Sequence, residues 1–461
     1  MESTLLPDDL LANVLGRLPP CSLAASRCVC KGWLAVVDDR RLLLPRRLDG
    51  FFFSGLLVQS EHNFFSPPSV ARRVGGGNLD FLDTSDPSHD DLRILDHCNG
   101  LLLFNERVAN PATRQWMDIP APPPSPCCRT TGLGTSDCLV YDPMVSPHHF
   151  EVFSVPLIPD SVFHESKKLD PHGDDAKKFV EESSGWPLSS SSSCTTHVFS
   201  SRKWRWEERS FVRRQQTAGQ PIADEETIAD LDFWPNQFQR HAIYLKGAIY
   251  VHCKNNSLMR IALSNDTYQM IRSPARSKIA DDDKGAFHLG KSEKGVYFAL
   301  LWDDNNLPRF RVWLLNESSS PSCGGHMEWV LKTNISLEAV IDNSKITNDD
   351  SFRTPWIVNY VTDEARRRLQ EDENLDWDYE NGTILGSKNK KNRIWFDNIV
   401  FFLGFHPYKQ IAFFWVHCSR AVSYHLNTSK VQELGALSHV VDITQSFPYT
   451  PCWIKLFENN S

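Results

Sequence analysis

The stretch KGAIYVHCKNNSLMRIALSNDTYQMI at residues 246–271 can be laid on KQIAFFWVHCSRAVSYHLNTSKVQEL at 409–434. Each reads as a strand, a tight polar turn, a second strand, a hairpin turn and a third strand, because short apolar runs are broken by Asn, Asp, Ser and Lys. Val251-His252-Cys253 matches Val416-His417-Cys418, and after a turn two residues shorter Ile261-Ala262-Leu263 matches Tyr424-His425-Leu426. KGVYFALLW at 294–302 repeats the Lys-Gly-apolar opening 48 residues after Lys246 and runs on into FRVWLLNES and EWVLK. Self-similarity of this kind marks a repeat architecture.

Looser copies lie upstream. HCNGLLLF at 97–104 leads to NPATRQWMDIP at 110–120, and CLVYDPMVSPHHFEVFSV at 138–155 leads to THVFSSRKWRWEER at 196–209. Comparable strands recur near the roughly 40 to 50 residues of a propeller blade. The expected architecture is a mostly-β domain, a β-propeller of about six or seven blades, with a two-sheet sandwich as the alternative. Three segments interrupt the repeats: proline-rich APPPSPCC at 121–128, a serine-rich stretch at 170–194 and the charged DEARRRLQEDENLDW at 363–377.

At 461 residues the chain is too long for a single growing core, so more than one domain is expected. Hydrophobic residues make up 41% and charged residues 23%, the balance of a folded soluble chain. A net charge of -8 argues against nucleic-acid binding, which needs a basic surface. Only RKWRWEERSFVRR at 202–214 interleaves basic and aromatic residues, and Glu207 and Glu208 dilute it. Trp204, Trp206, Trp302, Trp313, Trp329 and Trp415 are better read as packing between sheets, where burial of a large apolar side chain contributes roughly 1.5–3 kcal/mol. The acidic N-terminus does not read as a secretory signal, and no apolar run is long enough to span a bilayer, so no membrane role is expected. Twelve cysteines without such a signal point to free thiols and to the cytoplasm or nucleus.

The first fifty residues have a different periodicity. Leu10, Leu11, Val14, Leu15 and Leu18 follow the spacing of an amphipathic helix, with Pro7 and Asp8 suited to its first turn. Ser22 is placed to cap a second helix carrying Leu23, Ala24 and Val29, and Trp33, Leu34 and Val37 mark a third. So small a bundle needs a partner surface to finish burying its apolar side chains.

The run LLPDDLLANVLGRLPPCSLAASRCVCKGW resembles an F-box, through Leu6-Pro7, the leucine-rich first helix, Arg17-Leu18-Pro19 and Val29-Cys30-Lys31-x-Trp33. The region beyond it resembles the grass members of a plant F-box family with an F-box-associated domain, through Cys98-Asn99-Gly100-Leu101-Leu102, NPATRQW, YDPMVSPHHFEVF and GVYFALLW. The resemblance implies a Skp-type adaptor as partner and, through it, a cullin-RING ubiquitin ligase, with a target protein held by the C-terminal domain. It also implies an adaptor contact made or supported by Leu6, Pro7, Leu10, Leu11, Leu15, Leu18, Val29, Cys30 and Trp33. The expected organisation is α+β and multidomain: a three-helix F-box at 1–45, a linker and first strands at 46–96, and the β domain at 97–461 with inserts near 160–195 and 360–393.

Cys28 and Cys30 could suggest a metal half-site. Helical residues two apart do not face each other, and no second cysteine pair completes a zinc set, so Cys30 reads as a small, partly buried hydrophobe. The His-Cys dipeptides at 97, 252 and 417 cannot form dyads, because neighbours on a strand point to opposite faces. No hydrolase elbow, phosphate loop or zinc-protease motif occurs. The expectation is a non-catalytic adaptor without cofactor or metal, and the alternative is a stand-alone binding propeller for a protein, sugar or small molecule.

Overall fold

The computed structural model describes residues 6–18, 20–40, 42, 48–55, 63–67, 79–82, 93–123, 135–156, 193–214, 242–252, 258–271, 274, 286–304, 307–317, 327–343, 356–358, 383–384, 400–416, 420–436 and 443–454. Three helices open the chain: α1 (Asp8–Leu15), α2 (Pro20–Ser26) and α3 (Lys31–Asp39). Proline fits the first helical position, where its missing N–H costs nothing, so α2 starts at Pro20. Ser22, expected as its cap, therefore lies inside the helix, and Val29, expected on it, falls in the connection to α3.

Beyond the helices the described residues are mostly strand. In chain order the strands are β1 (Gly50–Gly55), β2 (Asn63–Ser66), β3 (Asp96–Cys98), β4 (Leu101–Leu103), β5 (Arg107–Asn110), β6 (Gln115–Asp118), β7 (Thr135–Val140), β8 (Glu151–Pro156), β9 (Ser193–Ser200) and β10 (Arg205–Arg213). Then come β11 (Ala242–Leu245), β12 (Ala248–His252), β13 (Leu258–Ala262), β14 (Thr267–Ile271), β15 (Ala286–Ser292), β16 (Gly295–Asp304), β17 (Leu307–Glu317) and β18 (Met327–Ser336). A short helix α4 (Glu338–Asn343) precedes β19 (Ile357–Val358), β20 (Thr383–Ile384), β21 (Val400–Phe405), β22 (Ile411–Val416), β23 (Arg420–His425), β24 (Lys430–Ala436) and β25 (Ile443–Tyr449).

Strands β3 to β6 and β15 to β18 each form a four-stranded antiparallel sheet, and β21 to β24 form a third with β20 added at its edge. Strands β7 to β10 and β11 to β14 would be two more, but a parallel pairing of β10 with β14 fuses them into eight strands. The remaining sheet mixes distant parts of the chain in the order β19-β2-β1-β25. Specific bonds link neighbouring sheets at or just beside β3, β7, β11, β15, β21 and β25. Asp96 Oδ2 accepts from Leu139 N at 2.7 Å, Tyr244 OH donates to Asp142 at 3.4 Å and Lys291 Nζ donates to Tyr244 O at 2.8 Å. Glu293 N donates to Pro407 O at 2.8 Å, Ser446 Oγ to Leu403 O at 3.0 Å and Gln445 Nε2 to Ile94 O at 3.1 Å. The last of these returns to the segment before β3, an order consistent with a propeller-like domain.

The core lies between neighbouring sheets, which explains why many strands are apolar on both faces. In β1, alternation sends Phe51 and Phe53 into a cluster with Phe413 and Trp415, and Phe52 into another with Phe64 and Tyr449. Trp356, just before β19, joins the first cluster, and its backbone N–H donates to Leu434 O at 3.0 Å. Gly435 permits this approach, since a Cβ there would lie 2.5 Å from Trp356 O. Of the tryptophans expected to pack, Trp313 and Trp415 are buried, and Trp206, Trp302 and Trp329 are half-buried against core clusters. Trp204 is exposed at a turn and meets Phe199 edge-on.

The repeat at 246–271 and 409–434 is present, with one correction of register. Val251 pairs with Met259, whereas its ladder counterpart Phe414 pairs with Val422, so the Val-His-Cys identities are two residues out of step. On that register the segments beyond the matched pairs His252–Leu258 and Trp415–Ala421 are equal in length, and within the second of them Val416 also pairs with Arg420. A two-residue offset keeps every side chain on its expected face. The hairpins between the second and third strands agree closely, with Asp266 and Ser429 both in the left-handed region at φ 51° and 54°. Much of the inserts near 160–195 and 360–393, the segments 124–128 and 363–377, Cys253 and the dipeptide at 417–418 lie outside the described residues.

Trp415 is fully buried between two sheets. Trp415→Ala is expected to lower the unfolding free energy by about 3–5 kcal/mol, measured by urea denaturation tracked through intrinsic fluorescence.

Candidate functional site

The N-terminal helices divide their apolar residues between two jobs. On α1, Leu15 is 1% exposed and packs with Leu23, Val36 and Val37, with Leu11, Leu18 and Trp33 half-buried around them. Leu10 and Val14, one turn apart, face the other way and are 54% and 56% exposed. Leu6 at 48% and Val29 at 61% are also exposed, so among the described residues of the first thirty, four large apolar side chains meet solvent. Exposing them costs hydration free energy that a partner surface would recover.

Local chemistry holds this face. Pro7 O accepts from the amides of Leu10 and Leu11 at 2.9 Å, and Asp8 and Asp9 complement the positive end of α1. Arg40, just after α3, pairs with Asp9, and Arg27 pairs with Asp38 at 3.0 Å, tying the helices together. Cys30 corrects an expectation: it is exposed rather than partly buried, and caps α3 by accepting from Trp33 N through Sγ at 3.5 Å. A thiol occupies the place where a helix prefers a small oxygen-bearing side chain. Cys28 is also exposed, and among the described residues no group of three or more His, Cys, Asp or Glu is arranged to hold a metal.

Of the sequence-derived site residues, Leu6, Pro7, Leu10, Val29 and Cys30 are exposed, whereas Leu11, Leu15, Leu18 and Trp33 face inward. Val14 shares the exposed face although the sequence reading did not place it there; its position four residues after Leu10 was the available signal.

In the β domain, titratable groups along the first strands serve the fold. His97 stacks on Phe447 with ring centroids 4.0 Å apart, while Cys98 donates to Tyr141 O at 3.3 Å on the other face. Burial pushes His406 down to about 3, and its neutral Nδ1 accepts from the amides of Tyr408 and Lys409 at 3.0 and 3.2 Å. Asp137 is raised to about 6, chiefly by burial, with a hydrogen bond to Ser154 opposing the rise and the negative charge of Asp96 adding to it.

With these geometries in view, the N-terminal unit is an F-box domain: residues 4–44 match that family. The chain is 28% identical over 147 residues to an F-box/kelch-repeat protein of Arabidopsis thaliana, an alignment covering 29% of this chain and 34% of that protein. It is 27% identical over 165 residues to an F-box protein of the same plant, covering 31% and 37%, and 30% identical over 129 residues to a putative F-box protein, covering 24% and 34%. The chain thus spans about a third of the length of the curated relatives it matches.

Cys30→Ser is expected to hold or raise the melting temperature, by up to about 1 kcal/mol of capping, with no response to a chelator. Asp137 has a folded-state value above its unfolded one, so its ionisation opposes folding increasingly from pH 3.8 to about 6 and fully above that. Asp137→Asn is therefore expected to match the wild type in melting temperature near pH 4 and to exceed it at pH 7.5.

Proposed function

We propose that this chain is the substrate-recognition subunit of a plant SCF-type cullin-RING ubiquitin ligase. Its F-box engages a Skp-type adaptor and its β domain holds a target protein, which raises the effective concentration of target lysines near the ubiquitin-conjugating enzyme. The isopeptide chemistry belongs to other subunits, and the setting is the cytoplasm or nucleus. The observation that carries this reading is the exposure of Leu6, Leu10 and Val14 at four-residue spacing, and of Val29, on a unit matching the F-box family. Within it, Leu6, Pro7, Leu10, Val29 and Cys30 make the contact, while Leu11, Leu15, Leu18 and Trp33 support it from behind.

The same proposal extends to the domains. The F-box spans 1–45, the segment 46–96 supplies β1 and β2, and the F-box-associated domain is a propeller. Counting the eight-stranded sheet as two units gives six blades, with β19-β2-β1-β25 as the blade that closes the ring. The circuit of hydrogen bonds at or beside β3, β7, β11, β15, β21 and β25 supports that count.

The test is co-purification of the full chain with a plant Skp adaptor, beside a Leu10→Asp, Val14→Asp double mutant. These positions are exposed, so the mutant stays folded, whereas a charge at buried Leu15 would unfold the unit. Binding by the wild type with at least a hundredfold loss in the mutant is expected. A wild type that ignores every adaptor would leave the stand-alone binding domain as the better account.

A further inference from the structure

The F-box core contains one residue from the far end of the described chain. Trp453 is 7% exposed and packs with Leu15, Leu23, Val36 and Val37, with Ala112 from the turn between β5 and β6 alongside. The backbone on either side of it is anchored to the β domain. Asn110, itself buried, donates through Nδ2 to Cys452 O at 2.9 Å and to Ile454 O at 3.2 Å. Tyr141 OH and Cys452 Sγ lie 3.4 Å apart. Gly100, at φ 94°, lets the chain come so close that a Cβ there would sit 2.5 Å from Cys452 N. Residues 452 and 454 are thus held by the β domain while the indole between them enters the F-box.

We propose that Trp453 is a positioning residue, an intramolecular clasp that completes the F-box core and fixes the adaptor-contact face relative to the β domain. Helices of eight, seven and nine residues bury too little apolar surface to be stable alone. The indole supplies the missing wall, and because its neighbours are bonded to Asn110 on β5, the F-box cannot turn freely. The consequence for adaptor binding rests on the ligase reading above; the clasp itself does not.

The experiment uses the full chain and its Trp453→Ala and Trp453→Phe variants, reading amide hydrogen exchange and affinity for a plant Skp adaptor. In Trp453→Ala, amides of α1 and α3 are expected to lose at least tenfold in protection while those of β3–β6 and β21–β24 keep theirs, and adaptor affinity falls at least tenfold. Trp453→Phe is expected to restore most of both. Unchanged protection of α1 and α3 in Trp453→Ala overturns the clasp. Should that variant fail to fold, exchange of the wild type in rising urea decides. Opening of α1 and α3 together with residues 452–454 supports the clasp, and their opening at lower urea while 452–454 stay protected overturns it. A wild type that binds no adaptor defeats the ligase reading but leaves the exchange result to judge the clasp.

Discussion

The pairing of β1 with β25 is the constraint on which the rest depends. Phe51 lies opposite Pro448 and Phe52 opposite Phe447, so residues near 50 and near 450 share one ladder. The sheet they build is buried on both faces, and its phenylalanines feed two separate core clusters. Without that ladder two sheets would each lose the wall they pack against. The clusters around Trp415 and Tyr449 would then open to water, exposing large aromatic area at roughly 25 cal/mol per Å².

The same sheet also draws in a segment far from either end. Trp356 and β19 come from the connection after β18, yet β19 forms the outer edge of the β19-β2-β1-β25 sheet and Trp356 bonds to β24 beside it. β20 from the same connection pairs with β24. A connection that reads as an interruption of the repeat thus repairs two edges, which would otherwise present unpaired backbone groups.

The strands of 246–271 and 409–434 were legible in the sequence because each is a short apolar run ended by polar turn residues, and two matching hairpins at Asp266 and Ser429 bear out the alignment. Their register was not, since the identical Val-His-Cys letters draw the alignment two residues away from the pairing that the strands adopt. The F-box helices were visible in their spacing, but amphipathic spacing alone does not say which of two apolar faces is covered. Leu15 and Leu10 look alike in the sequence and differ only once Trp453 and α3 are in place. Trp356 and Trp453 carried no signal, because each acts through partners far away along the chain.

The position of Trp453 bears on when the F-box matures. A ribosome delivers α1 to α3 first and the indole that walls their core only after more than four hundred further residues. Contacts of such sequence separation form late, after the chain between them has folded. A chain that stops short of Trp453 would, on the clasp proposed above, carry these helices without their wall. Under the proposed ligase reading, completion of the β domain would then become a condition for adaptor binding.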